Sequence, residues 1–244
     1  MSETTPKGQP QIERSVRIPA GDAVLDGELN VPEGAIGIVL FAHGSGSSRH
    51  SPRNRQVART IRESGIGTLL FDLLTKEEES VDMVTRHLRF DIDLLAKRLI
   101  DATQWLASQG ETGRLRAGYF GSSTGGGAAL VSAAELGDAV GAVVSRGGRP
   151  DLAAESLARV ISPTLLIVGG RDDVVIELNE HAYRQLRCEK ELTILPGATH
   201  LFEEPGALEE VARLATVWFR KHLQPLNRGE GDARPAGSRS ASIP

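Results

Sequence analysis

The residues best suited to chemistry stand in three short segments: Gly121-Ser122-Ser123-Thr124-Gly125, Gly169-Gly170-Arg171-Asp172-Asp173 and Pro196-Gly197-Ala198-Thr199-His200. The first is a Gly-x-Ser-x-Gly pattern that closes an apolar run over 115–120 and leads into the small residues Gly126, Gly127, Ala128 and Ala129. In a strand–turn–helix setting, such a pattern lifts the serine hydroxyl above a sheet on a sharp, strained turn. The flanking glycines avoid a clash between Cβ and neighbouring backbone, and the following helix aims free N–H groups at an anion forming there. A serine hydroxyl is a weak nucleophile until a base takes its proton, and that base needs an orienting acid. Asp172 and His200 follow the apolar runs 164–168 and 191–195, so nucleophile, acid and base occur in the order Ser123, Asp172, His200. Asp172 is preferred as the acid, with Asp173 and Asp151 as alternatives. His50, His87, His181 and His222 fall on expected helices or irregular segments and lack this placement.

A fourth segment, His43-Gly44-Ser45-Gly46-Ser47-Ser48, closes the apolar run 35–42. Attack on a carbonyl leaves negative charge on its oxygen, which needs two backbone N–H donors. The loop after such a strand supplies one, and the residue after the nucleophile supplies the other. This assigns the oxyanion hole to the N–H groups of Ser45 and Thr124, with His43 fixing the loop by hydrogen bonding. Two phosphate-directed readings are weaker. Gly121-x-x-x-Gly125-x-Gly127 fits the dinucleotide loop of some short-chain dehydrogenases, but it follows about the fifth strand, and its nearest Tyr-x-x-x-Lys-like pair, Tyr183 and Arg187, has the wrong base. Segment 43–48 lacks the Gly-Lys-Ser/Thr ending of a phosphate-binding loop. No cofactor and no metal site is expected. Arg146-Gly147-Gly148-Arg149-Pro150-Asp151 reads first as a solvated loop, and only second as a receptor for an anionic substrate.

These segments need a scaffold that brings four loops to one place. Short strands at 16–18 and 24–31 flank a Gly21-Asp22 turn, and apolar runs at 35–42, 66–71, 115–120, 140–144, 164–168 and 191–195 read as buried strands. Helices are expected at 52–64, 91–109, 124–136, 151–160, 177–186 and 208–222, while the acidic stretch 73–90 reads as irregular, a short lid at most. Alternating strands and helices build a mainly parallel central sheet with helices on both faces, and ligands bind where its strands end. Residues 1–11 are expected to be flexible, 12–224 to form the domain, and 225–244, poor in apolar side chains, to be disordered.

Composition narrows the classes. With 28 Lys+Arg against 32 Asp+Glu the net charge is −4, which argues against nucleic acid as a partner. No apolar run approaches the ~20 residues that span a bilayer, and the N-terminus has no signal-peptide layout, so a soluble, cytoplasmic protein with no membrane partner is expected. The lone Cys188 forms no intramolecular disulfide and no cysteine zinc cluster. The 27 glycines in 244 residues exceed ordinary usage. Gly44, Gly46, Gly121, Gly125, Gly169, Gly170 and Gly197 all fall in the four loops.

Over roughly 12–223 the chain resembles the α/β-hydrolases of the dienelactone-hydrolase-like group. The likeness rests on His43-Gly44-Ser45-Gly46-Ser47-Ser48, Phe71-Asp72-Leu73-Leu74-Thr75, Gly121-Ser122-Ser123-Thr124-Gly125, Gly170-Arg171-Asp172 and Pro196-Gly197-Ala198-Thr199-His200-Leu201-Phe202. It implies an α/β-hydrolase fold with minimal or no cap domain and cofactor-free hydrolysis of a small ester or lactone. Dienelactone hydrolases proper use a cysteine nucleophile; serine at 123 departs from them and favours a carboxylesterase-like reading. A non-catalytic binding protein of the same fold is the alternative. Oligomeric state is not legible.

Overall fold

The computed structural model describes residues 10–224. Most of the expected flexible N-terminus and all of the expected disordered tail lie outside them. β1 (Pro10–Ala20) pairs with β2 (Ala23–Pro32) across the Gly21 turn. The other strands are β3 (Ile38–Ala42), β4 (Gly67–Phe71), β5 (Ala117–Ser122), β6 (Val140–Arg146), β7 (Thr164–Gly169) and β8 (Lys190–Leu195). They form one sheet in the order β1-β2-β4-β3-β5-β6-β7-β8. β2 pairs antiparallel with both neighbours, and every other pairing is parallel.

The buried strands read as continuous apolar runs because both faces are covered, and their residues divide with the two-residue period of the pleat. In β3, Val39 and Phe41 face the core closed by α1 (Pro52–Glu63) and α6 (Ala207–His222). Ile38, Leu40 and Ala42 face the larger core under α3 (Ile92–Ser108) and α4 (Thr124–Leu136), which extends to Ala182 and Leu186 of α5 (Asp173–Gln185) and its end. No helix among the described residues is long and apolar enough to cross a membrane.

Three expectations need correction. The stretch 73–90 is not irregular: α2 spans Lys76–Thr85, followed by a single 3₁₀ turn at Leu88–Phe90. Thr75 caps this helix through a full capping box with Glu78. The helix has no apolar stripe, since Val81, Met83 and Val84 are all exposed, so hydrophobic periodicity gave no signal. The segment expected as a helix at 151–160 is instead 3₁₀ from Pro150 to Arg159, broken at Ala154 by φ +39°. Finally, α5 begins at Asp173, four residues before the expected start.

Candidate active site

β5 delivers Ser123 on a turn that only small neighbours allow. The residue sits at φ +50°, ψ −122°, immediately before α4. A Cβ on Gly121 would lie 2.6 Å from the Gly125 carbonyl oxygen, and one on Gly125 would lie 2.7 Å from that of His43. Both glycines are therefore required by the close approach of β3, β5 and α4. The carbonyl of Ser123 accepts from the N–H groups of Gly126 and Arg149, and its own N–H donates to the Arg146 carbonyl at 3.3 Å. These bonds hold a backbone conformation that L-residues rarely adopt.

The two later loops meet each other, and the end of β6 links them to the Ser123 turn. His200 Nδ1 lies 2.6 Å from Asp172 Oδ2; the histidine side chain is 40% exposed and the aspartate 16%. Asp172 stands at the N-cap position of α5, yet its side chain makes no capping bond, because the carboxylate engages the imidazole instead. Of the other candidate acids, Asp151 is bound by Arg149 through two hydrogen bonds, and Asp173 is exposed in the first turn of α5. The turn before His200 is fixed by Thr199, whose N–H donates to the Glu204 carboxylate at 3.0 Å; that bond helps hold the Glu204 carboxyl below its ordinary range. A Cβ on Gly147 would sit 3.5 Å from His200 Cε1, so the loop after β6 packs directly on the imidazole. No hydrogen bond joins Ser123 Oγ to His200 among the described residues; such bonds are often long until a substrate draws them tight.

The loop after β3 closes the site from the other side. A Cβ on Gly44 would stand 3.0 Å from Ser123 Cβ, which places the loop against the Ser123 turn. The first N–H groups of α4, beginning with Thr124, have no intrahelical acceptor, and Ser45 is held next to them by a hydroxyl contact, Ser45 Oγ to Thr124 Oγ1 at 3.1 Å. His43 anchors the loop: Leu73 N–H donates to its Nε2 at 3.0 Å, and its Nδ1 lies 3.0 Å from the Gly44 carbonyl. These partners set the Nδ1–H tautomer. Burial pushes the His43 pKa down, against the upward pull of the Gly44 carbonyl and Asp72, so the ring is a neutral structural pin.

A pocket of roughly 270 Å³ opens between this loop and α2, with Thr124 and Ser45 on its floor and Leu73, Leu74, Leu95 and Met83 among its apolar walls. Its polar lining includes two residues that sequence reasoning missed. Asp82 is buried, and Arg89 donates to it from both its backbone N–H and its Nε, the latter at 2.5 Å. The Ser45 hydroxyl also reaches the Arg89 carbonyl at 3.4 Å. The seven-residue spacing of Asp82, in α2, and Arg89, in the 3₁₀ turn that follows, is the one signal that could have found the pair. Among the described residues, no cluster of three or more metal-binding side chains occurs.

Residues 25–227 match the family model of the dienelactone hydrolase family. The chain belongs to that family. A crystal structure of a dienelactone hydrolase from Anabaena variabilis is 61% identical, with a TM-score of 0.87, covering 88% of this chain and 100% of that one. Est1E from Butyrivibrio proteoclasticus shares the fold, with a TM-score of 0.71 at 15% identity over 85% of this chain and 98% of its own. Proteins of two Mycobacterium tuberculosis strains, provisionally named as phosphoribosyl transferases, are 59% identical over 214 residues. That match covers 88% of this chain and 47% of theirs, so the chain spans about half the length of the curated relatives it matches. As a member of the dienelactone hydrolase family, the chain has the fold of the α/β-hydrolase superfamily.

Proposed function

We propose that this chain hydrolyses carboxylic esters or lactones of small size through a Ser123–His200–Asp172 triad and an acyl-enzyme intermediate. The observation that carries the reading is the 2.6 Å pairing of His200 Nδ1 with Asp172, linked through the 146–147 end of β6 to a serine held on a strained turn at φ +50°. Asp172 keeps Nδ1 protonated and leaves Nε2 as the base. As the Ser123 hydroxyl attacks the carbonyl carbon, His200 takes its proton, and the N–H groups of Ser45 and Thr124 receive the negative oxygen. Collapse expels the alkoxide, which takes the proton from His200. Water then attacks the acyl carbon, giving its proton to His200, and release of the acid returns that proton to Ser123. For a lactone, alcohol and acid leave as one hydroxy acid. The pocket beside Thr124 accommodates one side of the substrate, and no cofactor enters any step. The longer mycobacterial relatives carry a phosphoribosyl transferase name, and this chain matches 47% of their length.

Ser123→Ala is expected to lower kcat on short activated esters by several orders of magnitude. Mass spectrometry after treatment with an organophosphonate is expected to find one adduct, on Ser123. An alanine variant as fast as wild type, or a wild-type protein that takes no adduct, overturns the assignment.

A further inference from the structure

Arg146 ends β6 with its side chain on the α1–α6 face and is only 7% exposed. Its guanidinium meets the Leu201 carbonyl at 3.5 Å and the Phe202 ring at 5.6 Å from the centroid, while its Nε is buried without a hydrogen-bond partner. Burial, together with the charge of Arg53, lowers its pKa to about 10. Burying a cation against a carbonyl and a ring face costs free energy, and an apolar side chain of the same length would fill the space more cheaply. The contacts it makes, however, are at the right place. Phe202, two residues after His200, is held at φ +57° while its side chain is 1% exposed. A phenylalanine in that conformation persists only where its surroundings over-determine it. On the main-chain side, the carbonyl of the same arginine receives the Ser123 N–H.

We propose that Arg146 is the positioning residue that keeps the His200 turn in register with the Ser123 turn. Its carbonyl holds the nucleophile turn and its guanidinium clamps Leu201 and Phe202 of the base turn. One rigid strand end thus sets the distance between the two strained turns, across which the proton must travel. The proposal rests on the ester-hydrolase reading above. A misplacement on the order of 1 Å between reacting groups can cost about a hundredfold in rate, so a loosened clamp registers in kcat rather than in substrate affinity.

The test compares Arg146→Met and Arg146→Lys with wild type on a short activated ester. Rates are expressed per Ser123 that an organophosphonate labels at completion, so misfolded molecules do not count. The methionine variant is expected to lose ten- to a hundredfold in kcat with KM within twofold. The lysine variant, which restores a cation and N–H donors, is expected within about fivefold of wild type. A methionine variant whose kcat per labelled site is within twofold of wild type overturns the proposal, as does a lysine variant no better than methionine. Should the methionine variant not fold, Phe202→Leu removes the other half of the clamp. A threefold or greater fall in kcat at constant KM then supports the proposal, and an unchanged kcat overturns it. A wild-type protein that takes no phosphonate fails the underlying ester-hydrolase reading, whatever Arg146 does.

Discussion

His43 and His200 are the same side chain put to opposite uses by their surroundings. His200 leaves one nitrogen bound to Asp172 and 40% of its side chain open to solvent, as the proposed base requires. His43 has both ring nitrogens committed to backbone partners and is buried to 9% exposure. Because burial lowers the His43 pKa in the folded state, the unfolded chain binds this proton at higher pH than the folded one. Stability is therefore undiminished above the ordinary histidine value of about 6.5 and is lost as pH falls below it, by at most about 1.4 kcal/mol per pH unit. His43→Gln, which retains one donor and one acceptor, is expected to flatten that part of the curve. Urea unfolding of both proteins between pH 7.5 and 5 checks this, and parallel curves would show that His43 does not titrate on unfolding. His222, whose pKa burial also lowers, contributes with the same sign to both proteins and cancels in the comparison.

Among the elements, α2 is the one whose function and visibility diverge most. It walls the pocket, yet only Asp82 of its residues is buried, so little apolar surface holds it down. What does hold it is the capping box at Thr75 and the Asp82–Arg89 pair. Burial pushes the Asp82 carboxyl up, but the hydrogen bonds and charge of Arg89 outweigh this and keep it below its ordinary range. A depressed carboxylate stabilises above its unfolded pKa and loses that contribution as pH falls through the folded one, so α2 stays docked throughout the neutral range. Asp82→Asn is expected to raise KM five- to twentyfold with kcat within threefold, since the pocket wall loosens while Ser123, Asp172 and His200 stay in place; steady-state kinetics across an ester series measure it. A tenfold fall in kcat at unchanged KM would place Asp82 in the chemistry instead. The same contrast explains what was legible. The strands announce themselves by apolar runs, and the four loops by glycines and polar residues at their ends, so the chain order of Ser123, Asp172 and His200 could be read directly. A helix whose outer residues are apolar and whose inner anchor is a charged pair inverts the usual pattern, and periodicity passes over it. The sequence ranks Asp172 ahead of Asp173 and Asp151, and the physical ground for that ranking lies in the fold: Arg149 takes Asp151 and the imidazole meets Asp172.

For the molecule as a whole, a nearly parallel sheet has two unlike edges, and the glycine excess divides between them. The carboxyl ends of the strands carry the turns of the candidate site. The opposite edge carries Gly37 before β3, Gly118 in β5 and Gly141 in β6; all three lie against Leu223, and Gly118 against the Phe219 ring as well. A Cβ at these positions would come within 2.8, 3.2 and 2.7 Å of the Leu223 side chain. That leucine is fully buried at the end of α6, bonded back to the Phe219 carbonyl, and it seals the core beneath β3, β5 and β6 at the edge away from Ser123. Since its three partners have no side chains to move inward, truncation leaves a cavity that cannot collapse. Leu223→Ala should therefore fall toward the upper part of the usual 2–5 kcal/mol loss for such a change, lowering Tm by roughly 7–20 °C for a domain of this size. Because the lesion lies at the opposite end of rigid strands, kcat and KM of the folded fraction, measured well below the transition, are expected within twofold of wild type. Calorimetry paired with kinetics at 15 °C decides the matter: an unchanged Tm would mean the site collapses after all, and a fall in kcat would mean that the sheet transmits the lesion to the turns holding Ser123 and His200.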